Sequence, residues 1–245
     1  MAAIQSTPVH HPDTVTGTKT VEPELDSDVQ LNPHDKSNTT NNHLTPTSPP
    51  TSASQATIRT PRLTLTPYKD EHSALTKQLD QTPSVMKHIG FGRPLTDDET
   101  AQVHAWLLKS STYVPGLGTW VAYAEGREIG WWILAATPKD PNNPTENFDL
   151  SRSETGYRIL PEFWGMGYAT EGSKAVIQHA FEGLGLDEVF GETMTVNHPS
   201  RRVMDKCGMR HAETWFSAYP TPPPGIEEGE VRYRITRNEW EGRNT

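Results

Sequence analysis

The stretch Ile159-Leu160-Pro161-Glu162-Phe163-Trp164-Gly165-Met166-Gly167-Tyr168-Ala169-Thr170-Glu171 decides how this chain is read. It runs as a short strand into a glycine turn and then opens a helix. Gly165 and Gly167 put no side chain between the backbone and an approaching group, and they tolerate φ > 0 in the turn. The N–H groups of the turn and of the first helical residues point outward together, where the helix dipole helps them hold a phosphate. A loop of this kind implies a phosphorylated co-substrate.

Two nucleotide readings fail on their residues. A dinucleotide fingerprint needs Gly or Ala three positions after the second glycine, and that position is Thr170. A P-loop needs Lys and Ser/Thr after its closing glycine, whereas Gly167 is followed by Tyr168.

Around this stretch the 245-residue chain divides in two. Residues 1–56 are rich in Thr, Pro, Asn, Ser, His and Asp, hold no aromatic residue and show no apolar periodicity. Such a composition cannot bury enough surface to offset ordering entropy, so the expectation is a disordered tail. His10-His11 has no Cys or further His at ligand spacing, and no metal is expected. Residues 57–241 read as one domain. The whole chain carries a net charge of −9, and the tail has two lysines against six acids. The domain remains acidic, which disfavours general nucleic-acid binding and suits amine-bearing substrates. A single cysteine, Cys207, excludes a disulfide framework, fits a reducing compartment and reads as a small buried hydrophobe. No apolar run is long enough to span a membrane, and no signal-peptide layout opens the chain. The expected location is cytoplasmic, with no membrane partner.

Outward from the glycine turn the elements fall into order. Arg62-Leu63-Thr64-Leu65-Thr66 alternates apolar and polar residues as a half-buried strand. Helices are expected over 69–80 and 97–108, the second with Asp97, Asp98 and Glu99 in its first turn. Strands over 119–124 and 128–135 flank a hairpin turn at Glu125-Gly126-Arg127. A Pro/Asn-rich loop over 138–144 leads to a strand over 154–160 and the glycine turn. The following helix sets Ala169, Gly172, Val176 and Ala180 on one buried face. A strand over 188–195, a helix over 200–207 and strands over 211–219 and 230–236 complete the chain. The order β-α-α-β-β-β-α-β-α-β-β is that of an α/β (α+β) domain with a mixed sheet.

This order and four of its segments resemble the GNAT superfamily of acyl-CoA-dependent N-acetyltransferases, in its RimJ/RimL-like branch. Thr60-Pro61-Arg62-Leu63-Thr64-Leu65 is similar to the family's opening strand, and Glu154-Thr155-Gly156-Tyr157-Arg158-Ile159 to its central strand. Glu162 to Glu171 resembles the cofactor loop. Asn197-His198-Pro199-Ser200, running on to Lys206-Cys207-Gly208, resembles the family's Asn-x-x-Ser helix and Lys-x-Gly ending. The resemblance covers residues 60–240 and implies a mostly antiparallel mixed sheet flanked by helices. It also implies acetyl-CoA as co-substrate and an amine acceptor, either a small molecule or a protein N-terminus, in a monomer or homodimer.

By the same resemblance, Ile159 and Leu160 offer backbone groups to the pantetheine arm. The amides of Trp164, Gly165, Met166, Gly167, Tyr168, Ala169 and Thr170 hold the pyrophosphate. The Trp164 ring is expected to pack against the sheet. Asn197 caps the next helix and hydrogen-bonds the pantetheine, and Ser200 contacts the region of the cofactor sulfur. Acyl transfer is expected by direct attack of the amine on the thioester, with Glu154 as general base and Glu192 as the alternative. The N–H near Leu160 suits the oxyanion. Many family members carry Tyr two residues before the Lys of the Lys-x-Gly ending; here Met204 stands there and cannot donate a proton, leaving Ser200 or water as the acid. The Met204 departure keeps a non-catalytic acyl-CoA-binding module open as an alternative, beside an interaction protein on the same scaffold. The acceptor cleft is expected between residues 80–100 and 217–229, which hold Met86, His88, Phe91, Tyr219, Glu227 and Glu228.

Overall fold

The computed structural model describes residues 55–140 and 142–244, so residues 1–54 of the expected tail lie outside the described residues. The chain begins with β1 (Ile58–Arg59) and β2 (Thr64–Pro67), then α1 (Ser73–Asp80), α2 (Pro83–Met86) and α3 (Asp97–Tyr113). β3 (Gly118–Ala124), β4 (Arg127–Pro138) and β5 (Phe148–Ile159) follow, then α4 (Tyr168–Gln178), β6 (Glu188–Met194) and α5 (His198–Lys206). β7 (Arg210–Trp215), β8 (Glu230–Thr236) and α6 (Arg237–Asn244) close the chain. The eight strands form one sheet in the order β1-β2-β3-β4-β5-β6-β8-β7. Its neighbours are antiparallel except β5 and β6, which run parallel. The sheet is mixed, as the element order led us to expect, and mostly antiparallel with helices on both faces, as the family resemblance implied.

Local chemistry explains several of these boundaries. Glu125 (φ 51°) and Gly126 (φ 77°) close the β3–β4 hairpin with the two left-handed residues that a tight turn of this twist requires. Thr96 and Glu99 exchange side chain-to-backbone bonds of 3.3 and 2.8 Å, a capping box that starts α3.

Other boundaries differ from the sequence reading. β5 begins at Phe148 because β4 continues to Pro138 and offers it a partner. The last antiparallel strand expected before β8 ends at Trp215 instead of 219, because its partner β8 begins opposite it at Glu230. The short β1 and the helices α2 and α6 carry too little periodicity to be read from sequence. α5 starts at His198 rather than 200, directly after its cap Asn197. The expected domain start at 57 lies inside a set of contacts: the Trp120 indole donates to the Ala56 carbonyl at 2.7 Å, and Gln55 Nε2 to Thr119 O at 3.0 Å. Among the described residues no helix is long and apolar enough to cross a membrane.

The two sheet faces are built differently at the centre. Trp132 and Tyr157 stack across β4 and β5 with ring centroids 5.9 Å apart, on the face that α4 covers. α4 lies so close that a Cβ on Gly172 would stand 2.5 Å from the Trp132 ring. Their neighbours Trp131 and Arg158 face the other way, where the Arg158 guanidinium stands 5.0 Å from the Trp131 ring centroid and pairs with the fully buried Asp80. Burial raises the Asp80 carboxyl pKa, and Arg158 works against that rise. The pair fixes the end of α1 on β5. The Asp80 carbonyl also accepts the Leu95 N–H at 3.0 Å, closing the neck of the 81–95 loop.

Gly172→Ala should therefore destabilise the domain by about 1–3 kcal/mol, the scale of overpacking against an immovable neighbour. Urea unfolding followed by tryptophan fluorescence, read as a lowered midpoint at constant slope, checks this.

Candidate active site

The parallel ladder between β5 and β6 has only three rungs: Arg152↔Glu188, Ser153↔Val189 and Glu154↔Phe190. Beyond Glu154, β5 stays paired to β4 as far as Ile159, while β6 stays paired to β8 as far as Met194. The two arms diverge just past the point where a Cβ on Gly191 would lie 3.2 Å from the Thr155 carbonyl. The two strands therefore part inside the sheet, each still paired along its outer side.

Which groups face that opening follows from strand alternation. The Leu160 N–H donates to Ile129 O at 2.9 Å, so it is committed to the β4 side. Successive residues of a strand direct their polar groups to opposite edges, so the Ile159 N–H and carbonyl face the open side. The Ile159 carbonyl accepts the Trp164 indole N–H there at 2.7 Å. This corrects the expectation for Leu160: its N–H is not available to the slot, whereas that of Ile159 is. It also corrects Trp164, whose ring is 40% exposed and bonded to the strand end rather than packed on the sheet.

After the Pro161–Phe163 turn, Gly165 (φ 77°) and Gly167 (φ 86°) make the left-handed steps into α4. A Cβ on Gly165 would meet nothing within 4 Å. The first intrahelical bond is from the Glu171 N–H to Gly167 O, which leaves the Tyr168, Ala169 and Thr170 N–H groups without helical partners. Arg62 buckles this loop to the start of the domain. Its Nη1 donates to Met166 O at 2.8 Å, its Nε to Glu171 Oε2 at 2.6 Å and its backbone N–H to Glu171 Oε1 at 2.9 Å. Thr60 Oγ1 adds a bond of 2.6 Å to the same carboxylate. Burial works to raise the Glu171 pKa, but the bonds from Thr60 and Arg62 outweigh it and hold the carboxyl below its ordinary range.

A cavity of about 540 Å³ joins these parts, lined by Tyr157, Ile159, the glycine loop, the start of α4 and Asn197. Lys87, Arg202 and Lys206 stand on its wall, three cations to which the sequence reading gave no role, although Lys206 belongs to the Lys-x-Gly ending. A sequence signal for two of them is the spacing of Arg202 and Lys206, four residues apart on α5. Free helix amides, a glycine with empty space where a side chain would stand, and three cations fit a polyanionic co-substrate.

The remaining expected residues separate. Asn197 is buried on the cavity wall, where its Oδ1 accepts the Ser200 N–H at 3.4 Å and its Nδ2 donates to Thr193 Oγ1 at 2.9 Å. Ser200 is fully buried beside the Tyr157 hydroxyl and is not among the residues lining the cavity. The expectation that it contacts the sulfur region is corrected: the helix that Asn197 caps turns Ser200 inward. Burial holds the Tyr157 phenol far above its ordinary range. Met204 is core packing. Cys207 is buried 3.8 Å from Thr170 O, with burial pushing its thiol up to about 12.

Glu154 is 8% exposed at the last rung of the ladder, on the sheet face opposite Tyr157. Glu192, two residues beyond the rung on β6, shares that face. It accepts from Arg232 Nε at 2.7 Å and from Nη2 at 2.5 Å. Arg232 also pairs with Glu213, and its guanidinium stands 5.0 Å from the Phe190 ring and 5.6 Å from the Trp215 ring. Glu192 is thus held as one half of an ion pair, and the charge of Glu154 adds to the field at Arg232.

A splayed parallel pair closed by a glycine loop and a helix N-terminus is the architecture of an acyl-CoA-dependent transferase. A family model described as an acetyltransferase (GNAT) domain matches residues 62–210, and the chain belongs to that family. It is 55% identical over 186 residues to the FsC-acetyl coenzyme A-N(2)-transacetylase of Aspergillus fumigatus, covering 76% of this chain and 78% of that protein. Over 92 residues it is 33% identical to the N-acetyltransferase YoaA of Bacillus subtilis, covering 36% of this chain and 52% of that one. Two solved structures share its fold. RimL, a ribosomal L7/L12 alpha-N-protein acetyltransferase in complex with coenzyme A, superposes with a TM-score of 0.59 at 14% identity, over 74% of this chain and 98% of that one. Spermidine N-acetyltransferase from Vibrio cholerae, in complex with CoA and spermine, gives 0.58 at 16% identity, over the same shares. The chain is an acetyl-CoA-dependent N-acetyltransferase.

Gly165→Val should abolish acetyl-CoA binding while leaving the fold intact, because the added side chain enters the cavity and strains a left-handed residue on an exposed loop. Calorimetric titration with acetyl-CoA, beside an unchanged far-ultraviolet circular dichroism spectrum, checks this.

Proposed function

We propose that this enzyme acetylates the N(2) amine of FsC or of a close chemical relative by direct attack on the thioester, with Glu154 as general base. The observation that carries the reading is the position of Glu154 at the fork where β5 and β6 part, on the face opposite the cavity wall formed by Tyr157. A thioester lying in the fork would have this carboxylate on the side from which an amine arrives. The 55% identity to the FsC transacetylase supports the acceptor.

The incoming ammonium must lose a proton before its lone pair can attack. Glu154 takes that proton, the lone pair then forms the N–C bond, and the Ile159 N–H stabilises the oxyanion. The nitrogen now carries a second acidic proton; as the C–S bond breaks, that proton passes through water to the departing thiolate, giving the amide and the free thiol. An ordinary thiol pKa of about 8.5 makes the thiolate a fair leaving group, so neither Ser200 nor Met204 has to supply an acid. Glu192 is the less suitable base, because protonating it would break its ion pair with Arg232.

Glu154→Gln should lower kcat for FsC by about a hundredfold or more at neutral pH, the scale of a lost general base. Acetyl-CoA affinity should stay unchanged, and the defect should shrink as pH rises and the amine arrives already neutral. Thiol release followed across pH is the measurement. Wild-type turnover with an unaltered profile in this variant would remove Glu154 from the role.

A further inference from the structure

One titratable side chain on the co-substrate cavity has no role in the chemistry described so far. His88 lines that cavity together with Ser84 and Lys87. The sequence reading grouped it with an acceptor cleft, but it sits two residues past α2, on the wall of the cavity that also holds the glycine loop and Arg202. The backbone there is anchored from within. Met86 and Ile89 are buried before and after it in the chain, and the Ile89 N–H donates to Met86 O at 3.0 Å, which carries the turn past the end of α2. The ring is therefore presented to the cavity from a fixed base.

The ring makes no hydrogen bond among the described residues, and its Nδ1 is buried without a partner. A buried polar atom of this kind calls for an accounting. A neutral imidazole carries a proton on one nitrogen and a lone pair on the other. Of the two, a buried N–H with no acceptor is the costlier to leave unanswered. The lone pair therefore belongs on Nδ1 and the proton on Nε2, the nitrogen that is not sealed off. Burial first, then the charges of Lys87 and His198, lower the pKa of this imidazole, and Arg202 and Lys206 bring two more cations to the same cavity. Such surroundings favour the neutral ring, which offers one N–H and no charge.

We propose that His88 is a co-substrate-binding residue, donating its Nε2–H to an acceptor oxygen of acetyl-CoA. The cavity gathers donors of every kind: amides that lack helical partners, three cations and this imidazole. Acetyl-CoA answers them with phosphate and amide oxygens. An incoming ammonium at the same point would set N–H against N–H, so the residue serves the co-substrate and not the acceptor amine. The assignment depends neither on the identity of that amine nor on the choice of base.

The test is calorimetric titration of acetyl-CoA into the full chain with no amine present. His88→Ala should weaken binding about tenfold, the worth of one hydrogen bond. The side-chain nitrogen of Gln reaches the place of Nε2, whereas that of Asn stands near Nδ1. His88→Gln should therefore keep affinity close to wild type, and His88→Asn should lose as much as His88→Ala. Melting temperatures should match, because the ring bonds to nothing else among the described residues; general damage to the loop would instead weaken all three variants alike. Nitrogen-15 shifts of the His88 ring, assigned by their loss in His88→Gln, should show the Nε2–H tautomer at neutral pH. Gly165→Val reports on the cavity separately, so a protein that binds acetyl-CoA elsewhere is recognised by its unchanged affinity in that variant. Wild-type affinity in His88→Ala, a loss in His88→Gln equal to that in His88→Ala, or a ring protonated on Nδ1 overturns the assignment.

Discussion

The structure depends on a parallel ladder that stops after three rungs. A sheet normally satisfies its backbone groups by continuing to pair, and an interrupted ladder exposes polar groups at a cost. Here each arm is held on its outer side by an antiparallel neighbour, β4 or β8, over its full remaining length. The arms can therefore part without either unfolding, and the inner edge is left for a ligand that brings its own amide groups. The same fork divides the molecule chemically. One face gathers cations and helix amides that fit a polyanionic co-substrate, and the other presents carboxylates.

The glycine loop would be a poor phosphate site if it were free to move, since its left-handed steps permit many conformations. Arg62 removes that freedom. By binding the Met166 carbonyl and the Glu171 carboxylate together, it holds both ends of the turn from a residue more than a hundred positions earlier in the chain. Its bond to Glu171 also occupies the acidic side chain in the first turn of α4, so that carboxylate is held away from the amides of Tyr168 to Thr170, which lack helical partners. Preorganised donors of this sort need no rearrangement when the anion arrives.

On the opposite face, neighbouring carboxylates differ in role because their partners differ. Glu192 is paired with Arg232 in close contact, Glu230 accepts from two hydroxyls, and Glu154 stands at the last rung of the ladder. Protonating Glu192 would break its ion pair with Arg232, which makes it the less suitable base of the two.

Much of this was legible in the residues themselves. Gly165, Gly167 and the helix start at Tyr168 are set by local backbone preference, and the strands and helices by alternation and turn chemistry, so the mixed α/β order could be read directly, while the mostly antiparallel sheet came through the family resemblance. Thr60-Pro61-Arg62 was visible as a strand entry, but its grip on the loop spans 104 positions between Arg62 and Met166 and leaves no local mark. Leu160 and Ile159 look equivalent in sequence. Only the pairing of β5 with β4 decides that the Leu160 N–H is consumed and the Ile159 N–H faces the opening. Ser200 reads as a cofactor contact until the cap at Asn197 turns it into the core. Lys87, Arg202 and Lys206 resemble any surface cations until the cavity gathers them. Sequence determined what each segment is, because periodicity and glycine placement act over a few residues. Tertiary structure alone decided which donor, carboxylate or cation faces the fork, because that depends on partners brought from distant strands.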